Sequence, residues 1–187
     1  EKASKNLSMD MPDVFIRQHP ILNAFAIGTW GTGNFVILHS SLIEAMTEQE
    51  LLQVIGHEFT HIKCEHTRWL TFTGLKDSIN IPIISDLLGL IFNSWSRKVE
   101  YTSDRGGLIA NQNVKASITS LAKLAVGKEL FSQLDLDVFK HQKEEINKDG
   151  ILELNELLQS HPYVVNRIQH LLKFDQSKKY KRLLSQL

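Results

Sequence analysis

With a single cysteine, Cys64, in 187 residues, the chain cannot close an intramolecular disulfide, so it is not a disulfide-stapled secreted scaffold. It also lacks an excess of either charge: 21 Lys and Arg stand against 21 Asp and Glu, a formal net charge of zero. Without bulk positive charge there is no sequence-independent pull on phosphates, which argues against nucleic acid as a partner. Long apolar runs are missing as well. The best candidate, Ser78 to Ser96, is cut by Asp86 and flanked by Lys76, Asp77, Arg97 and Lys98. It falls short of the roughly 18 uncharged apolar residues that a membrane-spanning helix needs. The chain starts at Glu1 with no signal-peptide or lipidation pattern, which is compatible with a processed or excised piece whose anchor lies elsewhere. The expectation is a soluble domain, cytoplasmic or membrane-associated through parts outside these residues.

What is present suffices for a core: 42% of residues are apolar and 22% charged, and the length suits one domain. Residues 1–12 are polar and aperiodic and end in Pro12; they read as a flexible leader without a core of its own, free to lie in a groove as a prosegment. The single domain is then expected over 13–187. Its first part carries β-rich runs at 14–17, 24–30 and 34–40, the last two joined by a turn at Gly31-Thr32-Gly33. A short helix is expected over 41–46. Thr47 with Glu50 three residues on is a capping box that opens a helix to about residue 66. Residues 67–96, apolar but interrupted by Gly74, Pro82 and Gly89, suggest a helical hairpin or lid. Further helices are expected over 96–111, 115–126, 135–146, 151–160 and 163–174, the last started by Pro162. A sheet followed by helices is an α+β layout, a small N-terminal sheet packed on a helix and a mainly helical C-terminal part.

Inside the capped helix lies His57-Glu58-Phe59-Thr60-His61. Two imidazoles four residues apart sit about 40° apart around a helix and one turn along it, so both can reach one metal, with Glu58 beside them. A catalytic zinc site takes three protein ligands and keeps a position for water, so a third ligand is needed. A second pair of turns of the metzincin kind is excluded, because Cys64 and Thr67 stand where a glycine and a histidine would be required. Glu100 and Asp104, four apart on one helix face, are the better source: one acid can bind metal while the other orients a ligand histidine through its second ring nitrogen.

At this point the chain resembles the gluzincin metallopeptidases of the HtpX and CAAX prenyl endopeptidase type, including the small relatives termed minigluzincins. The resemblance runs through Asn23-Ala24-Phe25, Thr47 to Leu51 leading into His57 to His61, Arg97 with Glu100 to Asp104, and His161-Pro162 followed by Arg167-Ile168. It implies one zinc ion per chain held by His57, His61 and Glu100, with Glu58 as general base and Asp104 as partner of a ligand histidine. It also implies that His161 and Arg167 stand near the cleft. His161 is the candidate donor to the oxyanion, and Arg167 can hold an acidic neighbour or the substrate backbone. The plainer alternative makes His161 a helix cap and Arg167 a surface charge. Unlike the integral membrane members, this chain has no span-length segment after the active-site helix.

The implied reaction is hydrolysis of peptide bonds. Strand 34–38 is expected to be the sheet edge beside the cleft, with Asn23, Phe35, Val36 and Ile37 contacting an extended peptide or protein substrate. Two other readings stay open. Residues 145–156 mimic a calcium loop, with Gly150 sixth and Glu156 twelfth but Glu145 in place of the usual Asp, which would make a calcium-responsive binding module. The other is a catalytically silent, zinc-stabilised scaffold. Cys64 reads as a small buried residue, and His19, His39, His66, His141 and His170 as surface or packing residues.

Overall fold

The computed structural model describes residues 1–29, 33–67, 82–135 and 163–187, with the backbone alone at 29 and 82–92. The expected α+β class is found: three strands near the N-terminus, then helices. The strands are β1 (Asp13–Arg17), β2 (Ala24–Thr29) and β3 (Gly33–His39). α1 is Lys2–Asn6, α2 Ser40–Ala45, α3 Glu48–Lys63 and α4 Pro82–Asn111. α5 (Val114–Val126), α6 (Lys128–Phe131), α7 (Val164–Asp175) and α8 (Lys178–Leu184) follow.

The sheet order is β1-β3-β2, which corrects the expected edge. β3 is the central strand: it pairs antiparallel with β2, Ala26 opposite Val36, and in parallel with β1, Phe15 opposite Ile37. Phe35, Val36 and Ile37 therefore have both main-chain sides engaged, and Val36 is fully buried. No substrate strand can add to them. The hairpin was legible, but whether the first run joins β2 or β3 is decided by a parallel pairing that local pattern does not encode.

α3 starts where its chemistry says. The Thr47 side chain accepts from Glu50 N–H and the Glu50 carboxylate accepts from Thr47 N–H, satisfying two orphan donors at once. One hydrophobic core gathers Val36 and Leu38 of β3, Leu42, Met46, Val54, Phe59 and Ile62. A second gathers Leu108, Ile118, Leu121, Ile168, Leu171, Phe174 and Tyr180. Each fully buried Leu, Ile or Phe contributes about 1.5–3 kcal/mol.

Residues 1–12 depart from the flexible leader expected of them. α1 buries Ala3, and Leu7 just after it joins the first core, while Asn6 Nδ2 donates to Ala110 O at 2.8 Å and Lys63 Nζ donates to Leu7 O. Ala3 and Leu7, one helical turn apart in a polar stretch, are too few to announce a helix by themselves, yet they suffice once tertiary contacts hold them.

Between α3 and α4 the backbones come close. A Cβ on Gly56 would lie 2.5 Å from Ala110 Cβ, and one on Gly106 would lie 1.7 Å from Thr60 Oγ1. The expected 96–111 helix is the C-terminal half of the longer α4, and α8 was not anticipated. The expected helices over 135–146 and 151–160 lie outside the described residues, Asp135 apart, as do the loop at 145–156 and residues 68–81 of the expected 67–96 hairpin, whose residues 82–96 belong to α4.

Candidate metal centre

α3 presents His57 and His61 one turn apart, and α4, held close by the glycines, presents Glu100 and Asp104 to them. Ligand atoms of His57, His61 and Glu100 all lie within 4.8 Å of one another. His57 Nε2 and His61 Nε2 are 3.0 Å apart, and the Glu100 oxygens are 3.7 Å and 3.6 Å from them. Two ligands about 2.05 Å from a tetrahedral metal stand about 3.3 Å apart, so these separations bracket that geometry.

The protonation pattern points the same way. Asp104, as a carboxylate, can only accept, so the 2.9 Å contact places a proton on His57 Nδ1 and turns Nε2 toward His61 and Glu100. Three electron-rich atoms converging in a buried place fit a cation between them.

Burial would raise the Asp104 carboxyl, but Arg167 outweighs it and holds the group below the usual carboxylate range. The guanidinium grips it bidentately, Nε to Oδ2 at 2.8 Å and Nη2 to Oδ1 at 2.6 Å, and its Nη1 lies 3.2 Å from Glu100 Oε2. Arg167 itself is held firmly charged: burial opposes this, and the Asp104 carboxylate overrides it. His57 is likewise raised, burial working against it and the Asp104 bond prevailing, while burial and then the His57 charge lower His61 to about 3. Glu58 is raised by burial, against the pull of His57 and of the Ala26 main-chain N–H.

A cavity of about 410 Å³ opens on this cluster. Its walls include Asn23 and Ala24 to Ala26 of the β2 side, His57, Glu58 and His61 of α3, Leu121 and Leu124 of α5, and Arg167 of α7. No residue of 1–12 lines it, and Phe35, Val36 and Ile37 are absent from its walls. Arg167 does reach the centre, where it holds the acidic neighbours Asp104 and Glu100 and also lines the cavity. His161 lies outside the described residues.

Gln53 escaped the sequence reading, and His66 and Cys64, read there as a surface or packing residue and a small buried residue, have places that it did not give. Gln53 lines the cavity and donates to Asp104 O at 3.2 Å, tying α4 to α3. His66 stands edge-on to His61, ring centroids 5.3 Å apart, and contacts Ser103 Oγ at 3.5 Å. What swings it back is Glu65 in the left-handed region at φ 57°, a break that helical periodicity does not announce. Cys64, expected to be buried, is exposed at the end of α3, where the helix no longer packs.

The profile of peptidase family M48 matches residues 1–85 and 78–175, nearly the whole chain. The chain belongs to peptidase family M48. Among M48 relatives, the plastoglobule-localized metallopeptidase 48 of Arabidopsis thaliana is 32% identical over 197 residues, covering 98% of this chain and 57% of that protein. A protease HtpX homolog of Helicobacter acinonychis is 26% identical over 201 residues, 91% of this chain and 62% of its own. One from Sulfurisphaera tokodaii is 30% identical over 131 residues, 70% and 38%. The chain thus spans about 57–62% of the length of the first two relatives, and its family type is that of HtpX. Among the described residues of this M48 chain no helix is long and apolar enough to cross a membrane.

Proposed function

We propose that this chain is the catalytic part of a zinc-dependent endopeptidase, with His57, His61 and Glu100 as ligands and Glu58 as general base. The observation that carries it is the convergence of the two imidazoles and the Glu100 carboxylate on one buried point, at the floor of a cavity walled by an edge strand.

His57, His61 and Glu100 would hold zinc there, and it would supply the Lewis acidity that polarises a scissile carbonyl and lowers the pKa of a water toward neutrality. Glu58 accepts that proton and later delivers it to the leaving amine; burial lifts its carboxyl toward the pH at which both transfers are efficient. Asp104 holds the His57 ring in the tautomer and direction that expose Nε2. Arg167 neutralises Asp104 and Glu100, so that three carboxylates can share one site. An extended peptide adds along the free side of β2, whose residues 24–26 wall the cavity, through main-chain hydrogen bonds that leave side-chain preference loose.

The test pairs metal analysis with cleavage of a peptide library, with and without chelator. Wild type should carry one zinc and cleave, and chelation should stop cleavage. Glu58→Gln should keep zinc and lose activity by about a thousandfold, the scale of a lost general base. Bound zinc without cleavage in wild type would favour the silent scaffold, and near-normal turnover of Glu58→Gln would remove the mechanism.

A further inference from the structure

β1 is the sheet's other edge. Its one side pairs with β3, and its other side has no strand partner among the described residues. Exposed edges are ordinarily blunted by charge, proline or a bulge. Here Pro12 and the charges Asp13 and Arg17 stand only at the ends, and the middle of the strand is bare: Phe15 is 54% and Ile16 69% exposed, and Met11 and Ile21 nearby are 55% and 62% exposed. Such a strand is a template for another, and its sequence says which. Asp13-Val14-Phe15-Ile16-Arg17 reads acid, three apolar residues, base, so reversed it is its own complement.

We propose that β1 pairs antiparallel with β1 of a second copy of this chain, about a two-fold axis at Phe15, to form a continuous six-stranded sheet. In that register Phe15 faces Phe15, Val14 faces Ile16, and each Asp13 faces an Arg17. Every cross-strand pair is apolar with apolar or acid with base, the combinations that stabilise antiparallel neighbours. A shift of one or two residues either way sets Asp13 or Arg17 against an apolar side chain. Residues directly opposite share a face, so the two Phe15 rings extend an aromatic row already begun within each chain, where Phe15 and Phe35 meet edge to face at 5.8 Å. Neither Asp13 nor Arg17 has an ion-pair partner among the described residues. A two-fold contact closes on itself and does not propagate. It also uses the edge away from β2, and no β1 residue lines the cavity, so the proposal does not rest on the peptidase reading.

Sedimentation equilibrium of the full chain, from about 1 to about 200 μM, reads the association expected of so small an interface. The weight-average mass should climb from 21.4 kDa toward twice that value. Asp13→Arg and Arg17→Asp each set like charges across the axis twice, and each should raise the dissociation constant at least tenfold, with melting temperature checked by circular dichroism. The double variant Asp13→Arg/Arg17→Asp restores the pairing and should return to within about threefold of wild type. A wild type that stays monomeric throughout leaves the edge to some other strand and overturns the proposal. Single variants that associate normally, or a double variant as dissociated as the singles, overturn the register on which it rests.

Discussion

α3 meets its neighbours by opposite means. Val54, Phe59 and Ile62 enter a common core with Val36 and Leu38, a contact of ordinary apolar side chains. Against α4 the surface is nearly bare of side chains: Gly56 faces Gly107 and Ala110, Gly106 faces Thr60, and Gln53 bridges to Asp104 O. Apolar contacts tolerate repacking, because a lost methylene leaves a void that neighbours partly fill. A glycine seam has nothing to repack, and it sets how closely the helix bearing His57 and His61 approaches the helix bearing Glu100 and Asp104. The core therefore holds the fold, and the seam holds the spacing of the His57, His61 and Glu100 cluster.

Arg167→Met should be the most damaging change on the seam side. It strands two buried carboxylates, and about 3–5 kcal/mol of stability in the metal-free protein should go with it, measured by urea unfolding. A loss under about 1 kcal/mol would mean that Asp104 and Glu100 are neutralised by other groups. Leu38→Ala, on the core side, should cost about 3 kcal/mol yet leave zinc affinity unchanged. Gly106→Ala should cost less, about 2 kcal/mol, and still weaken zinc binding at least tenfold, because the new Cβ cannot coexist with Thr60 Oγ1 at the present helix separation. These two variants form the decisive pair. If affinity followed stability in both, the division between core and seam would collapse.

Removing the Thr47 cap should be milder. Thr47→Ala is expected to lose about 1 kcal/mol with zinc affinity intact, since the helix start lies away from the seam. Its partner Glu50 adds a pH signature. Burial would raise the Glu50 carboxyl, but the Lys123 ammonium at 2.7 Å and the Thr47 main-chain N–H hold it below the ordinary value of 4.5. A folded-state value below the unfolded one stabilises above pH 4.5, and the stabilisation fades as pH falls through the folded value. In Glu50→Gln the fall of melting temperature between about pH 5 and pH 3 should be shallower than in wild type. Parallel curves would assign the acid sensitivity elsewhere.

Much of this arrangement could be read from residue order. The Thr47/Glu50 box located the start of α3 to the residue, and the two His one turn apart, with two acids one turn apart downstream, named the groups that do converge. What escaped reading has a common physical cause: it depends on contacts between segments distant in sequence. The order of strands turned on a parallel pairing between β1 and β3, which moved the free edge from Phe35, Val36 and Ile37 to the β2 side. The burial of α1 turned on Ala110 and Lys63 being there to receive it. The return of His66 to the centre turned on one left-handed residue, Glu65, and Gln53 looked like any polar helix position until Asp104 O appeared opposite it.

The Arg167 clamp also puts the site on a clock. Asp104 follows His57 by 47 residues, and Arg167 follows Asp104 by another 63. Chains are made from the N-terminus at about 5–20 residues per second, so Arg167 is added roughly 3–13 seconds after Asp104. A nascent chain that has emerged only through α4 already carries both histidines and all three carboxylates, but not the cation that lets those acids sit together. Sequence order thus delays completion of the centre until α7 has been synthesised.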